Sequence, residues 1–254
     1  MTDIKAIELI NVNKAFTERR KRDNGWLSTA FSRDVLCNIN LSIPTGSIFG
    51  LAGLNGVGKT TIIKIILDLL RADSGSVNIF SKSNLDPANR INVYYLPEKF
   101  SPSQYLKGSE FLKLSLSFYN KQLDCQHVNN VLEKLDLDVN ALDKVIKTYS
   151  KGMRQKLGLA ACLLSGARLL ILDEPMTGLD PKARIILKKA LIEYRENGGT
   201  IFFSSHILDD VEEICDNVAV LHCAEIKFQG SPADFITTYN ANKAEKAFLN
   251  CINV

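Results

Sequence analysis

Two patterns of apolar and polar residues occur along this 254-residue chain. Some segments alternate apolar with polar residues, as strands with one solvent-facing side do, and these predict an antiparallel sheet. They are residues 4–10, 36–43, 76–80 and 226–229. Other segments are short, continuous apolar runs, which are typical of a parallel sheet covered on both faces by helices. They are residues 93–96, 169–172, 200–203 and 218–221.

Helical periodicity separates these predicted strands. The helical segments are residues 62–71, 109–120, 127–136, 151–165, 182–196 and 207–215. Together the patterns predict an α/β fold: a parallel-sheet core, an antiparallel β subdomain beside it, and a mostly helical subdomain at approximately 98–165. We expect residues 1–254 to form a single domain that ends in a C-terminal tail at 233–254.

Residues 17–34 do not fit a compact core. A basic cluster at Arg19–Arg22 precedes Trp26, Leu27, Ala30 and Phe31, whose spacing makes one apolar face on a helix. This basic and aromatic insert is interpreted in two ways. It is either a loop whose aromatic residues pack on the neighbouring sheet, or a short amphipathic helix at a membrane surface or against a membrane partner.

Composition narrows the classes of function. The net charge of +3 comes from 31 basic and 28 acidic residues, a balance that does not indicate a nucleic-acid partner. The six cysteines show no C-x-x-C spacing, so reduced thiols in the cytosol are expected, and the three histidines form no metal-site pattern. No apolar run approaches the ~20 residues of a membrane helix, and the N-terminus lacks the apolar core of a signal peptide. We therefore expect a soluble chain whose membrane role, if it has one, comes through a partner.

A glycine-rich segment between a short apolar run at 47–52 and a helical pattern from 62 carries the first chemical signal. It fits glycine, four residues, then Gly-Lys-Thr, in the strand–turn–helix context that a phosphate-binding loop requires. Backbone N–H groups and the helix N-terminus would hold the phosphates. Lys59 would reach the β- and γ-phosphates and the Thr60 hydroxyl would bind Mg²⁺. The predicted ATP-binding residues here are Gly53, Leu54, Asn55, Gly56, Val57, Gly58, Lys59, Thr60 and Thr61.

Paired carboxylates follow the apolar run at 169–172. A buried strand that ends in an aspartate is how nucleotide hydrolases place a carboxylate near Mg²⁺, so Asp173 is the predicted magnesium residue. Glu174 follows it, where a carboxylate is able to orient or deprotonate the attacking water. Further upstream, Ser150 is predicted to cap a helix whose first amides, at residues 151–153, form an anion site.

These motifs in this order, with Gly178-Leu179-Asp180 and then His206 after them, resemble the ATP-binding cassette (ABC) ATPases. The resemblance covers Ile7 to Pro232, nearly the whole chain. It implies a P-loop NTPase of RecA-like architecture, with ATP and Mg²⁺ as cofactors. It also implies that two copies pack head to tail, so that one subunit's signature segment contacts the ATP of the other. The matching signature residues are Ser150, Lys151, Gly152, Met153 and Gln155.

Further roles follow from the same resemblance. His206 matches the switch histidine that contacts the γ-phosphate, and with Glu174 and Lys59 it completes the expected catalytic set. Asp180 matches the aspartate that couples the two sites across the dimer, and Phe16 matches the aromatic ring that stacks on adenine.

The chain departs from the family pattern at two positions. Glu98 stands where a glutamine usually contacts Mg²⁺, and we expect it to keep that role because a carboxylate also ligates Mg²⁺. Lys151 stands where glycine is commonest, and we expect its side chain to point away from the phosphate. Both variants are similar to a bacterial exporter branch.

The resulting prediction is the ATPase subunit of an exporter. It acts as a homodimer with a separate transmembrane permease at the inner face of the cell membrane, and without a nucleic-acid partner. The permease is expected to dock near Glu98 and residues 100–120, which hold Tyr105, Phe111 and Phe118. The alternative is a soluble ABC protein of DNA repair, chromosome organisation or translation. Within exporters, the resemblance leaves lipid or drug cargo and polysaccharide-type cargo open.

Overall fold

The computed structural model describes the backbone of residues 5–21 and 28–252. It describes the side chains of residues 5–17 and 32–252. The described chain divides into two compact units. Unit 1 takes its residues from 1–44, 51–86 and 206–254, and unit 2 from 45–50 and 87–205.

The described elements alternate strands and helices along most of the chain. The strands are β1 (Lys5–Lys21), β2 (Ser28–Pro44), β3 (Ile48–Ala52), β4 (Ser74–Ile79), β5 (Lys82–Ser83), β6 (Val93–Leu96), β7 (Leu169–Asp173), β8 (Thr200–Ser205), β9 (Asn217–His222) and β10 (Glu225–Gly230). The helices are α1 (Lys59–Ile66), α2 (Gly108–Ser117), α3 (Cys125–Lys134), α4 (Lys151–Leu164), α5 (Pro181–Glu196), α6 (Leu208–Ile214), α7 (Pro232–Thr238) and α8 (Ala244–Ile252). None of the helices within 5–21 and 28–252 is long and apolar enough to cross a membrane.

Unit 1 contains a four-stranded antiparallel sheet in the order β2-β1-β4-β5. The alternation that predicts it is visible in β2, where Ile39, Leu41 and Ile43 are buried while Asn38 and Asn40 are exposed. Side chains of successive strand residues point to opposite faces, so this pattern places the apolar ones in the core. The predicted antiparallel sheet is confirmed for the segments at 4–10, 36–43 and 76–80.

The antiparallel pairing of β1 with β2 extends into the 17–34 insert, over residues 17–21 and 28–34. Backbone pairing runs from Thr17 opposite Ser32 to Lys21 opposite Ser28, including Ala30 and Phe31. The amphipathic-helix interpretation is therefore wrong for Ala30 and Phe31, because extension of β1 offers their backbone a continuous set of cross-strand hydrogen bonds. Trp26 and Leu27 lie outside the described residues.

The strand predicted at 226–229 does not join this antiparallel sheet. It is β10, which pairs with β9 through Ile226 opposite Leu221 and Gln229 opposite Ala219. Cys223 and Ala224 between the two strands both have positive φ, at 47° and 65°. Two such residues form the tight turn that favours a local hairpin, so β10 pairs with its neighbour in sequence.

Unit 2 contains the parallel strands β6, β7 and β8, with β7 paired to both of the others. Every residue of β7 and β8 is buried, as the continuous apolar runs predict for a sheet covered on both faces. The register places Leu96 opposite Leu172, and Asp173 opposite Ser204. Parallel pairing thus brings the carboxyl ends of three strands to one edge, as it does at ligand sites of α/β sheets.

The segment at 98–165 is mostly helical, as predicted. It contains α2, α3, α4 and the short 3₁₀ helices Val139–Asp143 and Ile146–Thr148. Asp136, just beyond α3, pairs with Lys156 of α4 and with Lys182 of α5. The lysines hold the pKa of the Asp136 carboxyl below its usual range.

Candidate nucleotide-binding site

The phosphate loop of unit 1 connects the end of β3 to α1. Gly56 and Gly58 have φ of 80° and 118°, a left-handed backbone that residues with a side chain rarely adopt. At Gly53 a Cβ atom would lie 2.7 Å from the carbonyl oxygen of Leu221, so a side chain there would collide with backbone. The pattern at 62–71 places the helix too late: α1 begins at Lys59 and ends at Ile66, because Gly58 turns the chain directly into it.

Lys59 lies across the loop that precedes it. Its side chain is buried, and Nζ donates hydrogen bonds to the carbonyl oxygens of Gly53 at 2.7 Å and Leu54 at 3.2 Å. An ammonium held over a left-handed glycine loop at a helix N-terminus concentrates positive potential where an anion would bind. The arrangement suits phosphate, as the sequence predicts.

A cavity of about 510 Å³ adjoins this loop in unit 1. Its walls are residues 54–57 of the loop, 33–35 and 37 of β2, and 222–224 of the β9–β10 turn. Phe16 pairs across the sheet with Arg33 of that wall and is 40% exposed. Lys14 Nζ lies 5.6 Å from the centre of the Phe16 ring and forms an ion pair with Asp73. The ring predicted to stack on adenine is therefore accessible on the strand beside the cavity wall.

The paired carboxylates of unit 2 lie where β7 ends. Asp173 and Glu174 are both buried, and Glu174 has a left-handed φ of 50°. The Ser204 hydroxyl donates to Asp173 Oδ1 at 2.6 Å and accepts from the Glu174 backbone N–H at 2.9 Å. The Thr177 hydroxyl donates to Glu174 Oε2 at 3.2 Å. Both carboxylate residues are thus held by hydroxyl groups in a buried turn.

Glu98 follows β6, the strand that pairs with β7, and is exposed. Burial raises the pKa of Tyr95 to about 12, and the charges of Asp173 and Glu98 add to the increase. The charges of Asp173 and Glu98 therefore both reach the Tyr95 hydroxyl at this end of the parallel strands.

The signature segment begins α4. Ser150 caps the helix by accepting from the Met153 N–H at 3.1 Å, which confirms the predicted cap. A Cβ atom added to Gly152 would meet only the Ser150 hydroxyl, at 3.9 Å, so this face is open to an approaching group. Arg154 donates to the Tyr149 carbonyl oxygen at 2.6 Å and ties α4 to the segment before it. Gln155 is half-buried in the same turn of helix.

Lys151 lies beside the loop that precedes α5. A Cβ atom at Gly178 would be 2.8 Å from Lys151 Nζ, which places the ammonium close to the Gly178 backbone. Asp180, two residues later, accepts from the Ala183 N–H at 2.9 Å and caps α5. The Lys151 side chain therefore extends from the signature segment to the Gly178–Asp180 loop.

His206 follows β8 and precedes the cap residue of α6, which is Ile207. His206 is half-buried. The capping position of this helix is therefore occupied by a residue other than the histidine.

Sequence reasoning missed Ser204 and Thr177, the two hydroxyls that contact the carboxylate residues. A signal for Ser204 exists in the sequence, because a polar residue ends the apolar run Ile201–Phe203 directly before Ser205 and His206. Thr177 has no comparable pattern, since its contact depends on the turn after Glu174.

No cluster of three or more metal-ligating side chains is present in the part of the chain that the structure describes. Mg²⁺ in nucleotide sites is commonly held by a hydroxyl or carboxylate together with substrate phosphates and waters rather than by an all-protein cage. The helix-start hydroxyl of Thr60 in unit 1 is a ligand of that kind, and so, taken by itself, is the buried, hydrogen-bonded carboxylate of Asp173 in unit 2. The chemistry of each residue fits the ion.

The fold and these motifs define a P-loop nucleotide-binding protein. The family model for ABC transporters matches residues 36–177, and the chain belongs to this family. It is 38% identical over 204 residues to an uncharacterized ABC transporter ATP-binding protein of Synechocystis, covering 78% of this chain and 57% of the relative. It is 38% identical over 196 residues to the bacitracin transport ATP-binding protein BcrA of Enterococcus faecalis, covering 74% and 61%. The chain thus spans about three fifths of the length of these curated relatives.

Solved structures agree on the fold. The structure of an ATP-binding subunit of an ABC transporter matches with a TM-score of 0.83 and 26% identity, covering 97% of this chain and 99% of that one. A dimeric ATP-binding cassette bound to ADP and phosphate matches with a TM-score of 0.76 at 20% identity, which shows a common fold. The predicted fold class is confirmed.

Proposed function

We propose that the chain is the ATP-binding and ATP-hydrolysing subunit of an ABC exporter, and that residues 1–254 form one cassette working through a separate transmembrane permease. The observation that carries the proposal is the hydroxyl-held carboxylate pair at the end of β7, in a chain that also has the phosphate loop and the capped signature helix. A role in transport is supported by relatives such as BcrA, the bacitracin transport ATP-binding protein of Enterococcus faecalis.

Each carboxylate has its own role in this proposal. Lys59 and the loop amides bind the phosphates, while Thr60, Asp173 and Glu98 hold Mg²⁺, which supplies charge neutralisation for the transferred phosphoryl group. Glu174 accepts the proton of the attacking water, and the Thr177 hydroxyl keeps one of its oxygens in place. His206 contacts the γ-phosphate.

A second copy of the chain completes the site. The open face at Gly152, at the N-terminus of α4, suits an anion brought by a partner, so Ser150 and Gly152 contact the γ-phosphate of ATP bound to the other subunit. Asp180 couples the two sites. ATP closes the dimer and hydrolysis reopens it.

An apolar surface in unit 2 is the proposed contact with the permease. Tyr105, Leu114 and Phe118 are 88%, 49% and 73% exposed, and the last two lie one helical turn apart at α2. Phe111, also expected here, packs edge-on against Phe100 instead. Exposed aromatic residues are enriched at protein interfaces. Docking of this surface places the chain at the inner face of the cell membrane.

Phe16→Ala is expected to raise the KM for ATP about tenfold while leaving kcat nearly unchanged, because base stacking contributes about 1–3 kcal/mol and acts equally on ground and transition states. Steady-state ATPase assays measure both constants. Phe16→Tyr keeps the ring and is the matched control, with a KM within about twofold of wild type. Loss of kcat with an unchanged KM in Phe16→Ala would contradict adenine stacking.

Leu114→Ser combined with Phe118→Ser is expected to abolish co-purification of a polytopic membrane protein from detergent extracts, while ATPase activity of the isolated chain stays within about twofold. Leu249→Ser, on α8 of unit 1, is the matched control because Leu249 is also 49% exposed. Tagged protein is purified from mild detergent and its partners are identified by mass spectrometry. Recovery of the wild-type chain with soluble partners alone would favour a soluble ABC ATPase and contradict the exporter.

A further inference from the structure

Ser204 directly follows the apolar residues of β8, and its buried hydroxyl contacts both Asp173 and Glu174. The residue is 0% exposed. Oγ is 2.6 Å from Asp173 Oδ1 and 2.9 Å from the backbone nitrogen of Glu174. The parallel register of β7 and β8, which sets Asp173 opposite Ser204, brings these atoms together.

The direction of both hydrogen bonds is fixed by chemistry. The Glu174 amide can only donate, so it takes a lone pair of the hydroxyl. The single hydroxyl proton is then left for Asp173, whose Oδ1 must accept it. A hydroxyl that donates to a carboxylate oxygen makes a charge-assisted bond, which is stronger than a neutral one. Ser204 therefore sets the orientation of the Asp173 carboxylate.

The second hydrogen bond acts on the turn that carries Glu174. A left-handed conformation in a residue other than glycine costs of order 1 kcal/mol and persists only where the surroundings enforce it. Glu174 has that conformation, and its amide is held by the Ser204 oxygen. In a continued strand the Glu174 side chain would point to the opposite face from Asp173, since successive side chains alternate. β7 ends at Asp173, and the left-handed φ of Glu174 departs from strand geometry directly after it.

We propose that Ser204 is a positioning residue for ATP hydrolysis, in which one hydroxyl orients the Asp173 carboxylate that holds Mg²⁺ and fixes the turn that presents Glu174. The inference rests on the roles proposed above for these two carboxylates. It adds that the effect of Mg²⁺ on nucleotide affinity and ATPase rate depends on Ser204, a residue that touches neither nucleotide nor metal in the proposed site.

A purely structural role for Ser204 makes a different prediction. Loss of any buried hydroxyl that serves two partners destabilises the fold, because each partner loses a hydrogen bond. Ser165 offers a comparison within unit 2. It is 1% exposed, donates to the Cys162 carbonyl oxygen at 2.6 Å and accepts from the Ala167 N–H at 3.1 Å, without contact to a carboxylate. Ser165→Ala therefore reproduces the structural loss alone.

The experiment compares Ser204→Ala with Ser165→Ala in the full chain. Binding of a slowly hydrolysed ATP analogue is measured by calorimetry with Mg²⁺ and with EDTA, and ATPase rates are measured as Mg²⁺ is titrated. In Ser204→Ala we expect the gain in affinity on adding Mg²⁺ to fall about tenfold and kcat to fall about tenfold or more, the size of one charged hydrogen bond. Affinity in EDTA should stay within about twofold. Ser165→Ala should keep the wild-type Mg²⁺ response.

The variant Ser204→Thr keeps a hydroxyl group at this position, so we expect it to retain most of the wild-type response to Mg²⁺. If Ser204→Ala does not fold, Ser204→Cys takes its place, because a thiol is a weaker donor: a weakened Mg²⁺ response supports the inference. A wild-type Mg²⁺ response in Ser204→Ala or Ser204→Cys overturns it. Wild-type protein with no Mg²⁺-dependent ATP binding would overturn the proposed function as well, which separates the two failures.

Discussion

Lys59→Ala is expected to weaken ATP binding at least about 100-fold. The buried Nζ lies over the phosphate loop, within hydrogen-bond distance of the Gly53 and Leu54 carbonyl oxygens. Its removal deletes the positive charge and the charge-assisted hydrogen bonds to phosphate, each worth about 1.5–3 kcal/mol, and 100-fold corresponds to about 2.7 kcal/mol. Calorimetric titration with ATP measures the change.

Lys64→Ala is the matched control for this variant. Lys64 lies on the same helix but is exposed, so the substitution removes the same charge outside the loop. Its ATP affinity should stay within about twofold of wild type, and circular dichroism should show both variants folded. An affinity for ATP in Lys59→Ala within threefold of wild type would mean that the loop does not bind the nucleotide's phosphates.

Glu174→Gln is expected to lower kcat by about 100-fold or more, the usual contribution of a general base, while ATP affinity stays within about threefold. Glutamine keeps the shape of the side chain and an oxygen that can accept from the Thr177 hydroxyl, so the turn after β7 is preserved. Because ATP then persists, the closed dimer should accumulate, and light scattering after gel filtration with ATP and Mg²⁺ measures it.

The control for Glu174→Gln is Glu196→Gln, an exposed carboxylate at the end of α5. It should leave turnover unchanged and should not produce an ATP-dependent dimer. Full turnover in Glu174→Gln would refute the assignment of the base. Reduced turnover without any dimer would retain the base but contradict the head-to-tail assembly.

Features set by nearest neighbours in the chain were predictable. The glycine pattern predicts a tight turn that leads into a helix, and the structure has this turn at Gly58, although α1 begins at Lys59, three residues before the predicted start. Ser150 was expected to cap a helix and does, because a serine oxygen reaches an amide three residues later without help from the rest of the fold. Continuous apolar runs were correctly interpreted as strands buried on both faces, as in β7 and β8.

Features that depend on competing partners were predicted less well. The spacing of Ala30 and Phe31 also suits a helix, and only the availability of β1 as a pairing partner decides for a strand. Alternation at 226–229 indicates a half-exposed strand but not which strand it pairs with, and the tight turn at Cys223 and Ala224 selects β9. Lys151 was expected to point away, and the structure adds the Gly178 backbone as its neighbour.

The sequence by itself therefore determined the family, the phosphate loop, the carboxylate strand end and the signature cap, since each is a local pattern of residue types. Only the tertiary structure decided how the carboxylates are held. Asp173 and Ser204 are 31 residues apart in the chain, and their hydrogen bond exists because β7 and β8 align in parallel register. Register is fixed by packing across the whole sheet, which no short stretch of sequence encodes.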